Sequence, residues 1–417
     1  RSQRDSNNSS SGRTTDRPFG PATWRKKPTK PVVTRSGKRL ADFRPQRNSL
    51  MKITEVRVYG KQLPMASGYN MSSAVVGDPE TTIVQILTDT PHIGWGEICP
   101  TGPLPQAEHA GSIRADFGLL GPALIDLDPR RMGLVHDAMS STMDGGHGAK
   151  SAIDIACWDI AGKAYGERVC DLLGGARMDP VSTYYVVPIG TPDDSAELAQ
   201  NLQETGHTKL QLKAGGRHID QDIAAIHAVA QTIRPGVDLF VDCNRGWTVG
   251  EAIQVSQACR HLKLSIEQPC ATYAECATAR PHLRHPLLLD ECAINLATIS
   301  TAIGTGLADG FGIKLTRVGG ISAMRSIRDL CEATNTPTSC DDSWGGDIIA
   351  AACVQVGATL DPNLSRGAWI SEPYQVAHYD EEHGPRIVNG TIDVPPGPGL
   401  GITIPSGYFG APIATYS

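Results

Sequence analysis

The chain has 417 residues, 40% of them hydrophobic and 5% aromatic, with a formal net charge of −6; that is enough for a full core, or for one large α/β barrel with an appendage. No apolar run reaches the ~18 to 20 residues of a membrane span, so no membrane partner is expected. Residues 1–50 carry 13 Lys/Arg against three Asp, which leaves the other 367 residues at −16; a body that acidic is a poor match for a phosphate backbone, and no nucleic-acid partner is expected of it.

Residues 1–50 are rich in Ser, Asn, Arg and Pro without helical or strand period and are expected to form a disordered basic tail. Met51 opens MKITEVRVYG, where an ordered pattern begins, and has the look of a natural start site. The tail is Arg-rich and acid-poor like an organelle presequence, yet Pro18, Pro21, Pro28 and Pro31 interrupt any amphipathic helix. A translated upstream or added segment and a nucleic-acid arm are the other readings. The eleven cysteines all follow the tail, form no CxxC pair and sit mostly in apolar stretches, the pattern of reduced core residues. The expected location is therefore cytoplasmic, or mitochondrial if the tail is a presequence.

Residues 51–177 show strands first (51–63, 81–88 and 92–98) and helices later. The strongest helix is expected over 151–165, with Ile153, Ala156, Cys157, Ile160, Ala161 and Ala164 on one face and a Ser151-x-x-Asp154 start. This is an α+β domain. Over residues 178–372 short apolar runs alternate with amphipathic helices that carry start signals at Thr248-x-x-Glu251 and Thr272-x-x-Glu275. The runs end near Lys213, Asp242, Glu267, Asp290, Lys314 and Cys340, at intervals of 23 to 29 residues. No GxGxxG follows the first strand and no P-loop occurs, so the repeat predicts a parallel (β/α) barrel.

In such a barrel the C-terminal strand ends face one mouth. Five successive runs place a charge there: Lys213, Asp242, Glu267, Asp290 and Lys314. Three converging carboxylates repel unless a cation joins them, and oxygen-only ligands select a hard ion, most simply Mg2+. The lysines flank this acidic group in strand order. A partly desolvated lysine near a divalent cation has its pKa lowered and can act as a base; the alternative is that both lysines are salt-bridge partners of the same carboxylates.

These residues resemble the enolase superfamily, in the branch of mandelate racemase and muconate lactonizing enzyme. The matching features are SAIDIACWDIAGKAYG followed by VCDLLGG, the triad Asp242, Glu267 and Asp290, the EQP and DE tags, and the lysine of KLTRVGG. The resemblance implies a (β/α)7β TIM-like barrel (178–372) under an α+β cap built from residues 51–177 and a returning segment, 373–417. It also implies one Mg2+ per subunit, a small-molecule substrate and a homo-oligomer.

Two departures set the subgroup. The usual Lys-x-Lys reads Gln211-Leu212-Lys213, which keeps only the second lysine, and the seventh run ends in SCDDSWGGD without His, leaving Lys314 as the opposing acid/base. QLKxGG, EQPCATYxEC, KxxxVGG and DDSWGGD together look most like the cis-3-hydroxy-L-proline dehydratases of the superfamily. That likeness implies removal of a Cα proton from a cyclic amino acid and loss of its 3-hydroxyl as water, with Lys213 and Lys314 as the acid/base pair. An epimerase acting on proline, a proline betaine or another amino acid derivative would use the same lysines. Glu291 is expected to orient Lys314 or to stand behind the ligands, together with Asn244, Gln211 and Asp342. Trp344 and Tyr69 are candidate walls for a small cationic ring.

Overall fold

The computed structural model describes residues 50–417 except 67, 68, 71, 73, 74, 102–106 and 377; apart from Leu50, the expected tail lies outside the described residues. The first described strand lies where the apolar pattern begins. Strand β1 (Ile53–Gln62) buries Ile53, Val56 and Val58. It pairs antiparallel with β2 (Glu80–Thr88), which pairs with β3 (Ile93–Ile98). The apolar faces of helices α1 (Ala110–Ala123), α2 (Met132–Thr142) and α3 (His147–Tyr165) share one core with these strands. Strand β3 and α3 touch closely enough that a Cβ on Gly96 would stand 1.8 Å from the carbonyl oxygen of Ala152, a contact that only glycine permits.

Helix α3 begins at His147, four residues before the expected start. Gly145 and Gly146, both at positive φ, break the chain there, and the Ser-x-x-Asp spacing falls inside the helix. Ser151 Oγ donates to the carbonyl of Gly148. Asp154 is fully buried, accepting from the backbone and hydroxyl of Ser322 and pairing with His136 Nε2 at 2.7 Å.

Beyond this layer, six parallel strands are hydrogen-bonded in chain order: β4 (Tyr185–Val187), β5 (Lys209–Lys213), β6 (Asp238–Asp242), β7 (Ser265–Glu267), β8 (Leu287–Leu289) and β9 (Gly310–Phe311). Parallel bridges Phe311↔Thr338, Lys314↔Asp341 and Thr338↔Ser365 add two more strand positions. The chain after the last of these meets the segment that leads into β4, since Ala368 N donates to the carbonyl of Ser182, three residues before Tyr185. Seven helices alternate with these strand positions, with a four-residue helix (Leu315–Val318) preceding the sixth: α4 (Pro192–Glu204), α5 (Ile219–Thr232), α6 (Val249–Ala258), α7 (Tyr273–Ala279), α8 (Leu296–Gly304), α9 (Ile321–Ala333) and α10 (Asp347–Gly357). The order is (β/α)7β, as expected. Thr248 with Glu251 and Thr272 with Glu275 form full capping boxes at the starts of α6 and α7. Finally β10 (Ala414–Tyr416) pairs antiparallel with β1, so the chain's end rejoins the first sheet. All eleven cysteines are free and ten are buried. Among the described residues no helix is long and apolar enough to cross a membrane.

Candidate active site

Register does most of the positioning. Lys213 pairs with Asp242, and Asp242 with Glu267, across β5, β6 and β7, so neighbouring side chains leave the same face of the sheet. Gln211 stands two residues before Lys213 and shares that face; its Nε2 donates to Glu267 Oε2 at 2.9 Å. Asp290 follows β8 by one residue, and Lys314 lies beyond β9, bridged to Asp341. Carboxylate oxygens of Asp242, Glu267 and Asp290 lie within 4.8 Å of one another, and all three residues are buried.

Cationic side chains crowd two of the three acids. Lys213 Nζ donates to Asp242 Oδ2 at 2.5 Å. Arg317 Nη1 donates to the Asp290 carbonyl at 2.9 Å and also to its carboxylate. Lys314 Nζ stands 3.8 Å from Asp290 Oδ2 and 3.4 Å from Asp341 Oδ2. Burial draws both lysine ammoniums down, but Asp242 beside Lys213, and Asp290 and Asp341 beside Lys314, outweigh it and hold both above the ordinary value. Burial raises Asp290 too, yet Arg317 and Lys314 bring it below the usual range.

Glu267 differs from the other two. Its hydrogen-bond partner is the neutral Gln211 amide, and burial, then the charges of Asp242 and Asp290, push its carboxyl well up. Glu267 therefore lacks a directly paired cation among the described residues, with only the more distant charges of Lys314 and Lys213 opposing that rise. A hard divalent cation with oxygen ligands fits that deficit.

Several residues around the triad were not singled out in the sequence. Asp341 is fully buried, and its Oδ2 accepts from Ser339 Oγ at 2.7 Å and Tyr184 OH at 3.1 Å besides facing Lys314. Trp369 lies 5.8 Å from the Lys314 ammonium, within cation–π range. The signal for Asp341 was present: it ends the seventh apolar run, as the other charged residues end theirs. Arg317 stands one helical turn after Lys314, a spacing that brings two side chains together.

Glu291 makes no hydrogen bond or ion pair with Lys314 among the described residues. It faces Asn244 Nδ2 at 3.3 Å and Arg245 at 3.8 Å; Asp341 takes the place beside Lys314 because the parallel bridge sets those two residues opposite each other. Burial, then the charges of Asp290 and Asp242, push Glu291 up to about 8. Asn244 is fixed from the other side by its own N–H donating to Asp242 Oδ1 at 2.9 Å.

Tyr69 is buried, with its ring 5.2 Å from that of Trp344 and 5.1 Å from that of Tyr374. Burial raises its phenol, against the pull of the neighbouring Lys213. Trp344 is buried as well and stands 5.5 Å from Trp369. Both line one cavity with Lys213, Lys314, Asp290, Glu291 and Asp342. Asp342 Oδ1 is buried there without a hydrogen-bond partner among the described residues, and burial pushes this carboxyl well up. No histidine lines the cavity among the described residues.

The mandelate racemase / muconate lactonizing enzyme N-terminal domain profile matches residues 53–174, and the enolase C-terminal domain-like profile matches residues 194–407. The chain belongs to the enolase superfamily. This superfamily member is 36% identical over 369 residues to a cis-3-hydroxy-L-proline dehydratase of Roseibium aggregatum, covering 88% of this chain and 100% of that one. It is 31% identical over 277 residues to an N-succinyl-L-Arg/Lys racemase of Bacillus cereus, covering 65% and 74%. The crystal structure of an enolase superfamily member from Roseovarius nubinhibens complexed with magnesium matches with a TM-score of 0.84 at 32% identity, over 88% of this chain and 100% of that one. Lys or His bases combined with Mg2+ are established for enolase-superfamily sites.

Proposed function

We propose that the chain is a Mg2+-dependent hydro-lyase that converts cis-3-hydroxy-L-proline to pyrroline-2-carboxylate, with one ion per subunit held by Asp242, Glu267 and Asp290. What supports this reading is the placement of two lysines about one carboxylate triad, Lys213 against Asp242 and Lys314 against Asp290, in a cavity with no histidine among the described residues, together with the likeness to a dehydratase over that protein's whole length, which favours loss of water over epimerisation. When bound, the cation supplies the charge that stabilises the substrate carboxylate as its α-carbon loses a proton, an effect worth several kcal/mol. One lysine removes that proton. The other donates a proton to the 3-hydroxyl, which leaves as water, and the enamine so formed tautomerises to the pyrroline.

Asp341 and Trp369 hold Lys314 in place. Tyr69 and Trp344 wall the cationic ring, and the unpartnered Oδ1 of Asp342 accepts from its ammonium. Gln211, Asn244 and Glu291 stand behind the triad and fix the orientation of its acids.

A second reading is supported by the likeness to a racemase: the same lysines would exchange the Cα proton between the two faces without loss of water. Incubation with Mg2+ and a panel of proline derivatives, followed by 1H NMR, separates the two. A pyrroline from cis-3-hydroxy-L-proline supports the hydro-lyase. Inversion at Cα with the hydroxyl retained establishes the epimerase.

A further inference from the structure

Glu97 lies on β3 and is fully buried, yet it does not line the cavity. Its carboxylate accepts four hydrogen bonds: from Thr81 Oγ1 at 2.9 Å, Tyr379 OH at 2.8 Å, Gly346 N at 2.8 Å and Ile349 N at 3.2 Å. The last two are orphan amides at the start of α10, whose own N-cap residue, Gly346, provides no side-chain cap. A residue of the first sheet therefore caps a barrel helix some 250 positions later in the chain.

The segment it grips is an unusual one. Trp344 sits at φ 139°, a conformation that bulky residues adopt only when their surroundings impose it. Gly345 follows at φ 145°, where a Cβ would come within 2.2 Å of Ile349 Cγ2. The Gly345 carbonyl is held by Ser371 Oγ at 2.8 Å and by Gln375 Nε2. Glu97 thus secures one side of the strained turn, and the chain after the eighth strand position secures the other.

We infer that Glu97 is the positioning residue for Trp344: by fixing Gly346 and Ile349 it keeps the indole in the cavity wall, and so ties substrate recognition in the barrel to the first sheet. The test uses the full chain labelled with 5-fluorotryptophan. Its six tryptophans are read by 19F NMR, with Trp344→Phe assigning the resonance and Trp247, in the barrel away from the contact, reporting on the fold. Glu97→Ala is expected to shift or broaden the Trp344 resonance and leave that of Trp247 in place. Glu97→Gln keeps an acceptor for Gly346 but turns a donor toward Ile349; it is the milder variant and moves the same resonance less.

In kinetics with Mg2+ and cis-3-hydroxy-L-proline, Glu97→Ala raises KM about tenfold with kcat nearly unchanged, the split expected of lost binding. That KM effect disappears in a Trp344→Phe background, as for two residues acting through one contact. The kinetic arm rests on the proposed substrate, whereas the NMR arm does not. A Trp344 resonance that keeps its wild-type position in both Glu97 variants overturns the assignment, and so does a KM effect that multiplies with that of Trp344→Phe.

Discussion

Lys213 and Lys314 share a task in the proposed reaction but are held differently. Lys213 contacts Asp242 directly, whereas Lys314 sits between Asp290 and Asp341 and beneath Trp369. Replacement of either lysine by Met is expected to lower turnover about 10²–10⁴-fold, the usual contribution of a positioned acid or base, as measured by following substrate loss in 1H NMR. Arg317 reaches both the carbonyl and the carboxylate of Asp290 and so aims one carboxylate of the triad. Arg317→Met should therefore weaken Mg2+ binding about 10–100-fold, the typical cost of losing a group that orients a ligand. Isothermal titration calorimetry measures this without turnover, and an unchanged affinity would show that Asp290 needs no such support.

The triad residues and both lysines were legible in the sequence because each falls at the end of an apolar run, and strand register then brings them side by side. Arg317 and Asp341 follow from the same logic one step further. Glu97 and Tyr184 do not: their partners lie 249 and 157 residues away, and no spacing within the chain announces them.

At the scale of elements, two joints hold the first layer together and to the barrel. The contact of β3 with α3 has no room for a Cβ at Gly96, so Gly96→Ala should destabilise the protein by about 1–3 kcal/mol, as overpacking does, readable as a lower midpoint in urea. The other joint is Asp154 of α3, which binds His136 of α2 and Ser322 of α9. The hydrogen bond to Asp154 raises the His136 imidazole above its ordinary value, with burial opposing. A histidine whose folded pKa is raised adds stability that is fully present below its unfolded value and is lost as pH rises through the folded one. The wild type should therefore lose more stability than His136→Asn as pH rises from about 6.5 upward, and thermal melts across that range check the difference. Helix α3 also shows where a sequence pattern misleads. A Ser-x-x-Asp spacing signals a helix start only if the preceding residues leave the helix, and here His147 to Lys150 continue it.

Over the whole molecule, the barrel order could be read from repeated runs of constant spacing, while the returns of the chain could not: β10 joins β1 from the opposite end of the sequence. Every residue placed in the proposed site lies at or beyond Tyr69, so deletion of residues 1–49 is expected to leave turnover unchanged, a comparison made on the two purified chains. The body's net acidity says little by itself; its concentration at strand ends, where burial and the neighbouring acids push the Glu267 carboxyl up and its hydrogen-bond partner is the Gln211 amide, is what suits a divalent ion.

In the proposed reaction this carboxylate triad and its two lysines dehydrate a cyclic hydroxy amino acid. Mass spectrometry of cis-3-hydroxy-L-proline incubated with the protein and Mg2+ tests it most directly. The expected product is lighter by one water, forms only with the metal present and is absent when EDTA is added; recovery of material of unchanged mass, inverted or intact at its α-carbon, would overturn the dehydration.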